Sequence, residues 1–514
     1  TMAKVFSRDQ AGASDGEIMG AAAIALQKGY DVVSLSLGIR GSSSDNLAEF
    51  FSRLTHQKNS AGEYLIVSAS AGNAGPFDQT LSQPSAGADV LSVAAAAKSL
   101  DDGRPEIAFY SSVGPDIDRR FSIKRLRLKP EITGIGGDVV TEPGSGNVYK
   151  YGVDSAKSKD SGRSASDLED GRHTGLSGSS MSNPAIAAIA LLVKLAMKAA
   201  GVITPFVAEN LPFAVKAVLM RASKDLGVPA WFQGSGLVDA WAAVKLVCSA
   251  AGRELGSRLK RFLSSTAASA EGWGWLERLK AVTDAEDRVF REAEIAKSQA
   301  QSRFEPGSES EEDTEVPPEG RAALGSAVQA EIVKRFNEAR DREAPALAAA
   351  LKDPVWLVRL RAAFVLMNFR APGAVLALAE TALGDADSRV RQMAFLALAE
   401  TPTHAVDVLL QRAAGDERWD VGVYAAYALA RRGDRGGVAR LVKELANPDK
   451  SARYTAAWLV GQMGMQATAA EAEALSARVG ARNERGNLRP LAAAALAPLA
   501  DVSTEVLSAR VVPA

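Results

Sequence analysis

The sequence predicts two structural classes in one chain: an α/β domain built on a parallel sheet, then an all-α solenoid of stacked helical repeats. Three observations lead there. Up to about residue 245, short β-type runs (DVVSLSLG, EYLIVSAS, DVLSVAAA) alternate with helical patterns (GEIMGAAAIALQKG, LAEFFSRLTHQ), the order produced when helices connect parallel strands. Toward the C-terminus a motif returns every 31 or 32 residues. The chain of 514 residues also exceeds the roughly 250 to 300 residues at which a single core stops growing.

Composition places the boundaries. Residues 1–248 carry the α/β pattern, with GSGLVDAWAAV closing it at Gly234 to Val244. Residues 249–304 are charged, favour helix and are nearly free of glycine after Trp275, which predicts a helical extension. The stretch EPGSESEEDTEVPPEG, residues 305–320, is acidic, contains proline and is poor in apolar residues, the composition of a linker. Residues 321–514 hold the repeats.

Aligning DPVWLVRLRAAFVL, DADSRVRQMAFLAL, DERWDVGVYAAYAL and NPDKSARYTAAWLV sets Asp353, Asp385, Asp416 and Asn447 in one column, and a fifth unit begins at Asn483. Five residues on stand Val358, Val390, Val421, Ala452 and Leu488; four further on, Ala362, Ala394, Ala425, Ala456 and Ala492. An oxygen-bearing cap followed by apolar and small residues at helical spacing predicts closely stacked helices. The pattern resembles HEAT-type repeats. That resemblance implies a surface that holds a protein substrate or regulator, with bracing of the neighbouring domain as the alternative.

Charge excludes several partners. Lysine plus arginine (60) nearly cancels aspartate plus glutamate (61), so nothing global attracts nucleic acid or an anionic membrane. A single cysteine, Cys248, rules out an internal disulfide framework and fits a reducing compartment. No uninterrupted apolar run reaches the ~18 residues of a membrane span. The chain opens on Thr1 without a basic-then-apolar leader, and the expectation is that something upstream has been removed. The expected location is the cytoplasm, with a secreted or periplasmic site left open. No metal-ligand cluster and no cofactor motif is legible, so neither is expected.

The chemistry centres on GLSGSSMSNPAIAAIALLVKLAM, Gly175 to Met197. A hydroxyl at a helix N-terminus faces unpaired N–H groups and a dipole that favour developing negative charge. Glycine permits the tight approach, and proline is tolerated in the first turn. The following helix is apolar on all sides, which predicts a central, buried one. Alone, a serine in this position reads as an ordinary N-cap.

Its context changes that reading. GSSMSNP resembles the nucleophile motif of the subtilisin-like serine proteases, the subtilases (peptidase S8), which implies Ser180 as nucleophile. VVSLSLG (Val32 to Gly38), VSASAGNAG (Val67 to Gly75), FYSSVGP (Phe109 to Pro115) with LKPEITGIGG (Leu128 to Gly137), and GSGLVDAWAAV follow that family's order. The resemblance covers residues 3 to 245 and implies a subtilisin-like α/β fold. It places the oxyanion-hole carboxamide at Asn73, beside the Ser180 backbone N–H. Substrate would be held by Ser36, Leu37 and Gly38 on one wall and Ser70, Ala71 and Gly72 on the other, with Gly178 and Ser179 on the nucleophile's side. The pocket floor is not readable from sequence.

Subtilases also need an aspartate and a histidine, both preceding the SLG strand in the family. This chain has three histidines. His56 falls in a helical stretch after that strand and reads as a solvated helix residue; His404 belongs to a repeat loop; His173 stands in the wrong order. DSG at Asp160 to Gly162 imitates the aspartate motif within a polar insert and reads as loop. MAKVFSRDQAG, Met2 to Gly12, resembles the segment that follows the family's histidine helix. The catalytic Asp and His are therefore expected on a separate N-terminal fragment of the same precursor, completing a serine endopeptidase that works through an acyl-enzyme. The alternative is a catalytically inactive, protein-binding scaffold.

Two further segments carry expectations. DIDRRFSIKRLRLKP, Asp116 to Pro130, reads as a solvated strand face, with docking of an acidic partner as the other possibility. The insert from Asp138 to Arg172, rich in glycine and serine, reads as a disordered loop, or else as a segment that gates the site at the serine turn or is cleaved by it.

Overall fold

The computed structural model of the protein describes residues 13–98, 104–141, 148–156, 172–250, 273–304, 318–462 and position 477. It opens with α1 (Asp15–Gln27), started by a capping box in which the Ser14 hydroxyl accepts from the Glu17 N–H at 3.3 Å and the Glu17 carboxylate accepts from the Ser14 N–H at 2.7 Å. There follow β1 (Val32–Leu35), β2 (Ile39–Arg40), α2 (Asn46–Leu54), β3 (Ile66–Ser70), β4 (Ser82–Gln83), β5 (Leu91–Lys98), β6 (Pro105–Ile107), β7 (Asp116–Asp118), β8 (Arg125–Arg127) and β9 (Ile132–Ile135).

Strands β1, β3, β5 and β9 are parallel neighbours in that order, and β6 adds antiparallel to β5. Every residue of β3 and all but the last of β5 are buried, as expected for parallel strands covered on both faces. This is the predicted α/β class. Among the described residues strand β1 pairs only with β3.

The insert departs from the loop expectation. β10 (Asp138–Thr141) pairs antiparallel with β11 (Val148–Tyr151), and β12 (Val153–Ala156) with β13 (His173–Leu176). Its valines and tyrosines suffice to build ladders despite the surrounding glycine and serine. Residues 142–147 and 157–171, including Asp160 to Gly162, lie outside the described residues.

The long helix α3 (Ser179–Ala199) lies against β1, β3, β5 and β9. By length and hydropathy it would pass for a membrane span, yet Lys194 within it is fully buried and pairs with Asp31 at 2.5 Å and Glu63 at 2.6 Å. It is not enclosed on all sides as predicted. Ala185, Ala188, Leu192 and Leu195 form one exposed stripe, the two leucines about half exposed (48% and 49%). The domain ends with α4 (Pro205–Glu209), α5 (Leu211–Arg221), α6 (Ala230–Gln233) and α7 (Ala240–Ala250).

The helical half comprises α8 (Gly274–Phe304), α9 (Pro318–Ala350), α10 (Trp356–Phe369), α11 (Val375–Gly384), α12 (Ser388–Glu400), α13 (Ala405–Ala413), α14 (Trp419–Arg431), α15 (Arg435–Glu444) and α16 (Lys450–Gln462). The aligned apolar columns, Val358, Val390, Val421 and Ala452 with Ala362, Ala394, Ala425 and Ala456, are all 0% exposed. Asp353, Asp385, Asp416 and Asn447 are not the helix caps that the pattern predicts. Each closes a turn by accepting the N–H two residues on, at 2.8 to 2.9 Å, and the helix starts after that. Arginines rivet three of these turns: Arg359, Arg391 and Arg453 each donate to two turn carbonyls, and the first two also reach forward to Asp385 and Asp420. The third repeat has Gly422 in that place. The fifth unit lies outside the described residues.

One apolar cluster runs through both halves, joining Ile132, Ile186 and Val218 to Trp275, Phe290, Phe364 and Trp458. Trp231 meets Phe364 edge-on at 5.9 Å, and Phe232 meets Trp458 at 5.1 Å. Arg389 donates to the carbonyls of Ser223 and Ser235, and Asn368 bonds the Leu126 backbone on both sides. The basic hairpin of β7 and β8 is correspondingly not a solvated face. Arg125, 2% exposed, pairs with Glu286 and Asp287 of α8; the acidic docking partner is that helix.

Because the core is shared, Phe364→Ala should cost ~3–5 kcal/mol and lower the stability of both halves together. A urea titration followed by tryptophan fluorescence and circular dichroism should give a single coincident transition for each form. Two separated transitions would contradict the shared core.

Candidate active site

The site is organised by the first turn of α3. Asn183, 0% exposed, sits beneath it. Its Nδ2 donates to Ser34 Oγ and the Leu35 carbonyl, both at 3.1 Å, and to the Ser68 carbonyl at 3.4 Å, while its Oδ1 accepts from the Ser68 hydroxyl. One carboxamide thus ties α3 to β1 and β3 where a broken bond inside the core would be costly.

Above this joint, Gly178 precedes the helix with φ 156° and ψ 160°, a backbone shape that glycine adopts at little cost. A Cβ there would come within 3.2 Å of Asn73 Nδ2. Asn73 itself leans onto the helix start: its Oδ1 accepts from the Ser179 N–H at 2.8 Å and the Ser179 hydroxyl at 2.9 Å. The Ser179 hydroxyl oxygen in turn accepts from the Gly72 N–H at 3.1 Å. With Oδ1 committed, Nδ2 is the end of the carboxamide left to meet another acceptor. Ser180, half-buried, is next in the chain. Its Oγ donates to the Ser36 carbonyl at 3.3 Å, and Ser36 Oγ donates back to the Ser180 carbonyl at 3.0 Å. The structure therefore brings Ser36, Gly72, Asn73, Gly178, Ser179 and Ser180 to one place.

Leu37 and Gly38 continue from Ser36 into β2, and Ser70 and Ala71 end the β3 wall. Sequence reasoning missed what joins the walls. Ser82 and Gln83 of β4 pair antiparallel with β2, and Ser82 Oγ donates to the carbonyls of Ser70 at 3.1 Å and Ala71 at 3.2 Å. A Cβ on Gly38 would meet the Gln83 carbonyl at 2.3 Å, and one on Gly72 (φ 114°) the Ser112 hydroxyl at 2.6 Å. Both glycines are required by close approach. The only sequence signal for Ser82 and Gln83 was a polar pair before Pro84, which does not distinguish a pocket floor from a turn.

Among the described residues the Ser180 hydroxyl meets a main-chain carbonyl, that of Ser36, rather than an imidazole. His56 pairs with Asp89 at 3.1 Å, and His404 lies 3.4 Å from Asp407. His173 is exposed at the far end of β13, paired in the ladder with Ala156. Among the described residues no group of histidine, cysteine, aspartate and glutamate side chains is disposed to hold a metal. Burial pushes the Cys248 thiol upward, as for an unreactive core thiol.

Fold and site together define a parallel α/β domain that presents a serine at a helix mouth beside a carboxamide. Residues 1–237 form a domain of the subtilase family, and residues 344–421 form HEAT repeats. Similar solved structures include a lanthipeptide protease (22% identity, covering 47% of this chain and 68% of that one, TM-score 0.33) and Sphericase (18%, 44% and 64%, 0.28). MycP1 with its N-terminal propeptide removed is a further one (18%, 45% and 66%, 0.26). The chain spans about two thirds of the length of these proteins.

The loop that leaves Asn73 reaches the helical half at Asp78, which shares a cavity of about 210 Å³ with Tyr427, Arg431 and Trp458. Its Oδ1 is buried without a hydrogen-bond partner, and burial pushes the carboxyl up to about 7. A carboxyl raised in the folded state favours folding most below its ordinary value of 3.8, and that contribution is lost as pH rises through about 7. The Tm should accordingly decline from pH 4 to 7 more steeply in the parent than in Asp78→Asn. Thermal melts across that range check it, and identical slopes would contradict the assignment.

Proposed function

We propose that this chain is the nucleophile-bearing part of a serine endopeptidase that hydrolyses peptide bonds of protein substrates through an acyl-enzyme. The observation that carries the reading is the arrangement at the head of α3: the Ser180 hydroxyl on the cleft, with the Asn73 carboxamide fastened to the adjacent Ser179. Ser180 Oγ would attack the substrate carbonyl, and Asn73 Nδ2 with the Ser180 N–H would hold the oxyanion. An extended peptide would pair along Ser36 to Gly38.

The proton acceptor and its orienting carboxylate are assigned to a separate N-terminal fragment of the same precursor. One feature of the fold supports a further neighbour for this half. The stripe of Ala185, Ala188, Leu192 and Leu195 along α3 is apolar yet uncovered among the described residues. It starts five residues past Ser180. The repeats, packed along the catalytic half, are assigned to bracing it and to meeting a protein substrate or regulator with their remaining surface.

A second reading, an inactive protein-binding scaffold, is favoured by the hydrogen bond from Ser180 Oγ to a main-chain carbonyl rather than to an imidazole. Treatment of the chain, coexpressed with the upstream part of its precursor, with a fluorophosphonate probe separates the two. Covalent labelling that disappears in Ser180→Ala is the expected result. Asn73→Ala should lower kcat ~10²–10³-fold with little change in KM. Absence of labelling in the assembled complex would leave the scaffold reading standing.

A further inference from the structure

A basin of about 350 Å³ opens between α2, the hairpin of β7 and β8, and α8. It lies apart from the serine cleft and straddles the two halves of the protein. Arg53 and His56 stand on its rim, Arg120 and Arg127 on its wall, Arg291 across from them on α8, and Arg125 at its closed end. Three carboxylates, Glu49, Asp89 and Asp287, share the lining.

Following each charge to its partner shows which are left over. Arg53 is spent on Glu49, and His56 on Asp89. Arg125 and Arg361 share Glu286 and Asp287. Arg120 and Arg127, however, both rest on the single carboxylate of Asp118. Burial alone would raise Asp118, but the two guanidiniums hold it well below the usual carboxylate range. The other carboxylate beside the pair is Asp116, opposite Arg127 in the ladder, and it accepts from the Ser43 N–H. Arg291 is exposed, and no carboxylate among the described residues pairs with it. At the closed end the Arg125 guanidinium packs over the rings of Phe121 and Phe290 at 5.1 and 5.0 Å. Its Nε–H is buried without an acceptor, although its side chain is only 2% exposed.

We propose that this basin binds a small soluble phosphate compound carrying two or more negative charges, of the pyrophosphate kind. Guanidinium forks match phosphate oxygens in geometry as well as charge. The free volume is many times the ~10–15 Å³ that one water needs on the same measure, ample for two phosphate groups. One phosphate group would face the Arg120 and Arg127 pair and the other Arg291. A bound anion would span α2, the hairpin and α8, so that occupancy fastens the two halves together. A chloride or a carboxylate meets only part of this demand.

The test is calorimetric titration of the whole chain with inorganic pyrophosphate, beside thermal melts with pyrophosphate or with sodium chloride at matched ionic strength. Saturable one-to-one binding is expected, with a rise in Tm that chloride does not give and an affinity that weakens with salt. Arg291→Gln removes an unpaired charge and Arg120→Gln leaves Asp118 its second arginine, so the double variant should fold. It should bind pyrophosphate at least tenfold more weakly, whereas Lys352→Gln, an exposed change on the helical half, should bind as the parent does. No saturable heat, equal binding in parent and double variant, or equal Tm rises with chloride would overturn the proposal. Tighter binding of a phosphoserine peptide through the same arginines would overturn the small-molecule assignment.

Discussion

The carboxamide of Asn183 is the joint on which the catalytic half depends. It bonds β1 and β3 to α3, and it does so with no solvent to replace a lost partner. Because it lies one turn below Ser180, its three donations fix where the helix begins and therefore where the serine stands. The glycines at 38, 72 and 178 then let three stretches of main chain crowd that point. Position, rather than any unusual chemistry of the serine itself, is what the local sequence secures.

The helical half is bound to this arrangement through a shared interior. Aromatic residues of α10 and α16 meet those of α6, and Arg389 reaches back to carbonyls of the catalytic half. The loop following Asn73 ends against the same repeats, at Asp78. A change in repeat stacking is thereby one loop away from the carboxamide beside the serine. One apolar cluster is common to the two halves, while a second, around Phe51 and Leu65, covers the α1 and α2 side of the sheet; stacking the repeats along the sheet domain buries apolar faces that neither would cover unaided.

Much of the fold was legible because it rests on local signals. Alternating runs gave the parallel strands, and the columns at Val358 and Ala362 gave the repeats, since burial at fixed spacing leaves a mark in sequence. The meeting of the Asn73 turn with the serine turn was legible only through family resemblance; composition leaves each as an ordinary turn. What stayed hidden was set by tertiary partners. Arg125 and Lys129 look like surface charges until Glu286 and Glu131 are placed beside them. The column aspartates look like caps, because an Asx turn and an N-cap call for the same side chain. The stripe on α3 looks like core because its sequence is apolar, and sequence does not tell which neighbour covers it.

Gly422 leaves room for a guanidinium from outside its own helix. Neighbouring turns are each cross-braced by an arginine one turn along the helix that follows, whereas at the turn of Asp416 a Cβ in that place would come within 3.2 Å of Arg440 Nη2 from α15. The third unit thus trades a cation of its first helix for the nearness of one from its second. It is also the unit that, with Trp458 of the fourth, surrounds Asp78, so the exception in the pattern falls where the repeats touch the Asn73 loop.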